Sequence, residues 1–187
     1  MKPRIKVGFG IFVFAVFVLL GGYRIIDITV ALPWIFAVLL HELGHLAAAR
    51  LCGARVSGLT LDVTGAKMIL CGKLLSYRDE ILIALAGPTV NIVTFAVTFC
   101  FTENFSSFSL MLGLLNLFPI SGFDGYRILS SFIKLREGVE KAERVMRTMS
   151  FCAVFLLWLI SVYLLLRFGS GFSAFILSCS LFSSLIV

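Results

Sequence analysis

The run Trp34-Ile35-Phe36-Ala37-Val38-Leu39-Leu40-His41-Glu42-Leu43-Gly44-His45-Leu46-Ala47-Ala48-Ala49 decides how the chain is read. It is apolar except for three ionisable groups that fall within five positions. The two histidines are the only ones among the 187 residues. On a helix, positions i and i+4 stack on one face, about 6 Å apart along the axis, so both imidazoles can reach one metal ion. Glu42 adjoins the first of them, where its carboxylate can take a proton from water. His-Glu-x-x-His on a helix is a zinc-binding spacing with the glutamate as general base. Ionisable groups at membrane depth are costly and mark function by default. The blander reading, three polar groups satisfied by neighbours or interfacial water, is the weaker one.

Composition sets the class. Apolar residues make up 60% of the chain and charged residues 14%, with a mean hydropathy of +1.06. A soluble domain of this size would have too little polar surface, and runs of about 20 apolar residues read as spanning helices. The net charge of +6 does not suggest nucleic acid, because the basic residues are spread along short loops. The five cysteines, Cys52, Cys71, Cys100, Cys152 and Cys179, form no Cys-x-x-Cys pair. They read as small buried residues.

Taken in order, Met1 to Lys6 is basic and Phe9 to Tyr23 is apolar. This resembles a signal peptide, but no Ala-x-Ala site follows and the next span begins at once, so a retained first helix is expected. A second span covers Ile28 to Leu51. Leu59, Leu61 and Val63 alternate with Thr60, Asp62 and Thr64, the period of a strand; Gly65-Ala66 is a turn, and Lys67 to Leu74 is a second β segment. The third span is expected over Ile81 to Phe101 and Glu103 to Ser109 as a loop. Phe108 to Phe118 is a fourth, brief segment that Pro119 breaks at membrane depth, where irregular backbone must be buried in protein or line a wet cavity. Arg127 to Arg147 is a charged amphipathic helix with i,i+4 pairs Glu137–Lys141 and Glu140–Arg144. Met149 to Leu166 and Phe172 to Val187 complete the set. The expected fold is an all-α polytopic membrane protein of about six transmembrane segments, with a small membrane-surface β-hairpin between segments two and three.

Lysine and arginine set the expected orientation. Three precede span one, five lie between spans two and three, and six lie between Arg127 and Arg147, leaving Arg24 and Arg167. The positive-inside rule then puts the amino terminus, the two histidines and Asp124 on the cytoplasmic side.

Catalytic zinc usually takes three protein ligands and a water. With no third histidine, and Leu51 where a metzincin would carry one, the third must be a carboxylate or a thiolate. Asp124 is favoured. It follows the broken helix, is flanked by Phe123 and Gly125, and has no lysine or arginine within two residues. Asp62, Cys52 and Cys71 remain alternatives, and Asp124 could instead cap the helix that follows.

Three motifs stand in order inside apolar segments: His41-Glu42-Leu43-Gly44-His45, Ala86-Gly87-Pro88-Thr89-Val90-Asn91, and Asn116-Leu117-Phe118-Pro119 with Asp124-Gly125. Together they resemble the site-2 protease family of intramembrane zinc metalloproteases, over about residues 28 to 130. The compact layout is most similar to the branch that contains the sporulation stage IV protease acting on a sigma factor. The resemblance implies one Zn²⁺ per chain held by His41, His45 and Asp124, Glu42 as general base, and Asn116 orienting substrate or the oxyanion. Asn91 is a weaker candidate for that role, with helix packing as its alternative. It also implies a membrane-embedded or membrane-associated protein substrate such as a pro-sigma factor or regulatory membrane protein, a membrane regulator, and a bacterial cell membrane. Gly122-Phe123 and Tyr126 depart from the common loop pattern of the family. The chain stops at Val187, so a single protease domain over 1–187 without a C-terminal soluble domain is expected. The competing reading is a non-catalytic membrane metal-binding, transport or adaptor protein.

Overall fold

A computed structural model describes residues 4–7, 28–62, 65–72, 75–169 and 172–186. Its elements are β1 (Arg4–Val7), α1 (Ile28–Leu51), β2 (Ala54–Asp62), β3 (Gly65–Gly72), α2 (Tyr77–Thr98), α3 (Glu103–Asn116), α4 (Asp124–Glu137), α5 (Val139–Phe168) and α6 (Phe172–Ile186). The span expected over Phe9 to Tyr23 lies outside the described residues.

Among the described residues, three helical stretches are long and apolar enough to cross a membrane: Leu32–Leu51, Tyr77–Thr98 and Val139–Phe168. With 14 and 15 residues, α3 and α6 are shorter than a full span. The five apolar segments expected in this part of the chain are thus three long helices and two short ones.

Helix α2 is the hub, packing against α1, α3 and α4, while α6 lies on α5. It starts at a capping box. Ser76 Oγ accepts from the Asp79 N–H at 3.2 Å, and the Asp79 carboxylate accepts from the Ser76 N–H at 3.0 Å. Its buried positions, Ile83, Ala84, Gly87, Pro88 and Asn91, are mostly small. Small residues let helix backbones approach closely where no hydrophobic force drives them together. Large side chains such as Leu39, Leu43, Val97 and Leu166 instead point outward and are exposed. A soluble protein would hide them; a lipid-facing surface need not.

Between α1 and α2 the chain forms a sheet. β2 and β3 pair antiparallel from Ala54 opposite Gly72 to Asp62 opposite Gly65, with an irregularity between Val56 and Gly58. β1 adds in parallel, Arg4 opposite Gly58 and Val7 opposite Leu61. That third strand is a finding beyond the sequence reading, which saw only a basic lead-in there.

Two helix boundaries also differ from expectation. The loop expected at Glu103 to Ser109 is the start of α3, and its serines are absorbed by the helix; Ser106 Oγ donates to Glu103 O at 3.0 Å. The amphipathic stretch expected over Arg127 to Arg147 is broken at Gly138, where φ is +87°. Its second half runs directly into the fifth expected span as one helix of 30 residues. Cys100, Cys152 and Cys179 are exposed and Cys52 is half-buried, which corrects their reading as buried residues.

Candidate metal centre

The last three turns of α1 carry His41 and His45, each 4% exposed. Each ring is gripped from α2 by its Nδ1 edge. His45 Nδ1 donates to the Ile83 carbonyl at 2.7 Å, and His41 Nδ1 lies 3.2 Å from Asn91 Nδ2. The helices can come this close because Gly87 lies between those two grips. A Cβ there would stand 2.4 Å from His45 Nε2 and 2.9 Å from His41 Cε1.

Asp124 arrives from the broken helix. Pro119 offers no N–H, so α3 closes at Asn116 with tight bonds from Leu117 N–H to Leu114 O and from Phe118 N–H to Leu115 O, both 3.1 Å. The loop then folds over the start of α4. Gly125 permits this, since a Cβ would meet Leu117 O at 2.1 Å. Ser150 on α5 clamps the same loop: its Oγ accepts from the Ser121 N–H at 3.2 Å and donates to Pro119 O at 3.1 Å. Ile120 is buried against Val154 and Leu181. From α4, Ser131 Oγ donates to Glu80 on α2 at 2.6 Å, tying the two helices together beside the site.

The result is a triangle of donor atoms. Asp124 Oδ2 lies 3.1 Å from His41 Nε2 and 3.0 Å from His45 Nε2, and the two Nε2 atoms are 3.1 Å apart. A tetrahedral ion with bonds of about 2.0–2.1 Å has ligand–ligand edges of about 3.3 Å. The triangle matches that within a few tenths of an ångström. His45 spends its ring proton on Ile83 O, so its Nε2 presents a lone pair toward a carboxylate oxygen. A shared cation resolves that crowding of electron-rich atoms. The other oxygen of Asp124 faces Arg127 Nη1 at 3.7 Å. The carboxylate is not a helix cap: Asp124 is the first residue of α4, and the capping position is Phe123.

Asp124 joins the histidines among the described residues; in the backbone, Asp62 ends β2 opposite Gly65. Glu42 is half-buried beside His41, with its Oε2 shielded from solvent. Asn116 ends α3 and donates to Leu112 O at 3.1 Å within its own helix. Asn91 is fully buried behind His41, on the ring edge away from the donor triangle. Ser150 and the Ile83 carbonyl were missed by the sequence reading. A serine in an apolar span was the available sign of the first; a backbone carbonyl leaves none.

A helical bundle that delivers two histidines and an aspartate to one point defines a class: membrane proteins with a three-ligand metal centre. The comparisons narrow it. No family model matches the chain. In sequence it is 28% identical over 118 residues to a protein of Mycobacterium tuberculosis named as zinc metalloprotease Rip3, covering 54% of this chain and 30% of the relative. It is 31% identical over 123 residues to zinc metalloprotease MJ0392 of Methanocaldococcus jannaschii, covering 58% and 35%. The chain thus spans about a third of the length of these curated relatives. In structure it matches the site-2 protease from Methanocaldococcus jannaschii with a TM-score of 0.76 at 20% identity, over 99% of this chain and 90% of that one. The chain has the site-2 protease fold, and its resemblance to that family holds in sequence as well as in structure.

Proposed function

We propose that this chain is an intramembrane zinc metalloendopeptidase that hydrolyses peptide bonds of transmembrane or membrane-associated proteins. The observation that carries the reading is the triangle of His41, His45 and Asp124 donor atoms, 3.0–3.1 Å on each side, with both histidines on a helix apolar enough to span a bilayer. His41, His45 and Asp124 hold one zinc ion, which supplies Lewis acidity and eases deprotonation of water near neutral pH. Glu42 accepts the proton of the attacking water and passes it to the leaving amine nitrogen. Asn116 orients the substrate once its amide turns away from Leu112 O. The β2–β3 pair lies at the membrane surface. The sheet pairs with substrate that has left its helical form, since main-chain hydrogen bonds recognise an opened strand without demanding a sequence. The amino terminus and the site face the cytoplasm of a bacterial cell. The parallel pairing of β1 with β2 supports this, because it puts the basic start of the chain beside the basic region that follows α1.

The test uses detergent-purified protein and a panel of single-span transmembrane peptides. Wild type should carry about one zinc and cleave at least one peptide. Glu42→Gln should keep the zinc and lose cleavage; Asp124→Ala should lose most of the zinc. A folded wild type without zinc overturns the reading. Full activity in Glu42→Gln removes Glu42 from the chemistry, and zinc with no cleavage of any peptide favours a non-catalytic binding protein.

A further inference from the structure

Asn91 is a buried polar side chain that the hydrolytic scheme leaves without a task. It is fully buried, its Nδ2 lies 3.2 Å from His41 Nδ1, and its Oδ1 has no hydrogen-bond partner. The two ends of an amide have nearly the same shape, so their assignment follows from the hydrogen-bond network. Here the network is decided at the far side of the ring. His41 Nε2 belongs to the donor triangle and must offer a lone pair, which leaves the ring proton on Nδ1. An Nδ1–H facing an NH₂ group sets donor against donor. Turning the amide by half a rotation puts Oδ1 on that proton. One amide atom stays without a protein partner in either orientation, but only the turned one removes the conflict.

His45 shows the same arrangement already made, its Nδ1–H on the Ile83 carbonyl at 2.7 Å. Ile83, Gly87 and Asn91 stand at i, i+4 and i+8 of α2, one stripe along the helix. The stripe reads acceptor, gap, acceptor: a backbone carbonyl for one ring, the missing Cβ of Gly87 for both, and a side-chain carbonyl for the other. The Ile83 carbonyl faces His45 Nδ1, and the group that faces His41 Nδ1 is the Asn91 side-chain amide.

We propose that Asn91 is a positioning residue whose Oδ1 accepts from His41 Nδ1–H and fixes the tautomer in which Nε2 faces the metal. This rests on the metal-centre reading above. Groups that hold a ligand imidazole by its second nitrogen are worth roughly 10–100-fold in metal affinity.

The measurement is zinc affinity by chelator competition on detergent-purified protein, with the helical content and melting temperature of each metal-stripped protein recorded alongside. Asn91→Leu, which keeps the volume and removes the acceptor, should weaken zinc by about 10–100-fold, and Asn91→Asp, which keeps an acceptor, should bind within about threefold of wild type. If Asn91→Leu does not fold, Asn91→Ala takes its place in the comparison. A packing role predicts the opposite order, since a buried carboxylate disturbs helix packing more than leucine does. Wild-type affinity in Asn91→Leu, or equal weakness in Asn91→Asp and Asn91→Leu, overturns the proposal. Failure of wild type itself to bind zinc would instead sink the metal-centre reading.

Discussion

Gly87 is the residue at which one added methyl group reaches both histidines. A Cβ there would lie 2.4 Å from His45 Nε2 and 2.9 Å from His41 Cε1, far inside contact distance. Overpacking of this kind costs about 1–3 kcal/mol, and here the groups forced to move are the proposed ligands. Gly87→Ala should therefore weaken zinc by at least about tenfold, the equivalent of roughly 1.4 kcal/mol, while the helical signal stays near wild type. Chelator competition beside circular dichroism checks it. Unchanged affinity would show that the two helices can part without cost. The residues of the centre were unevenly legible in the sequence. His41 and His45 could be read because helical spacing alone stacks them, and Asp124 because a proline-broken apolar segment precedes it. Asn91 sat in a quoted motif, yet nothing in the chain says that its amide faces a histidine ring rather than a substrate. That direction depends on how α2 is rotated against α1.

The loop from Leu117 to Phe123 is the element that aims Asp124, and Ser150 holds it from across the bundle through two hydrogen bonds. Ser150 has no solvent exposure. Ser150→Ala leaves the Ser121 N–H and the Pro119 carbonyl without that partner, at a cost of about 1–3 kcal/mol. The expected outcome is a lower melting temperature and weaker zinc binding together, because the loop that slackens carries a ligand. A drop in melting temperature with zinc affinity intact would mean that Asp124 is held by α4 alone. At this scale the sequence foretold α1 at Ile28–Leu51 and the stop before Pro119. It misplaced the start of α3 because Ser106 and Ser109 read as loop residues, although a helix can satisfy a serine such as Ser106 by back-bonding to its own carbonyls. It joined α4 to the first turns of α5, and began a separate span at Met149, because Gly138 looks like any glycine until its positive φ is seen.

At the scale of the whole molecule, the proposed orientation makes the turn after α2 and the junction after α4 face opposite sides of the membrane. Cys100 is exposed in that turn, and Gly138 in the junction. In intact cells, a membrane-impermeant maleimide should label a variant whose sole cysteine is Cys100. The same reagent should label a cysteine placed at Gly138→Cys, in a chain otherwise without cysteines, only after the cells are opened. The reverse pattern would invert the topology and move the proposed site to the outer face. The apolar bundle was legible from composition, and β1 was not. A four-residue strand that pairs in parallel with a segment some fifty residues later has no local signature.

His41 and Asp124 are 83 residues apart in the chain, yet their donor atoms are 3.1 Å from each other. An ion held between them is a clasp that closes a long loop, and the entropy of such a closure grows only slowly with length. The clasp joins the first described long helix to the fourth element of the bundle, across the hub helix that both of them touch. Zinc would thus stabilise the assembly in proportion to the logarithm of its free concentration. A chain stripped of the ion would lose a fastening as well as a reagent, and conditions that scavenge metal would loosen the bundle where α1 and the start of α4 meet.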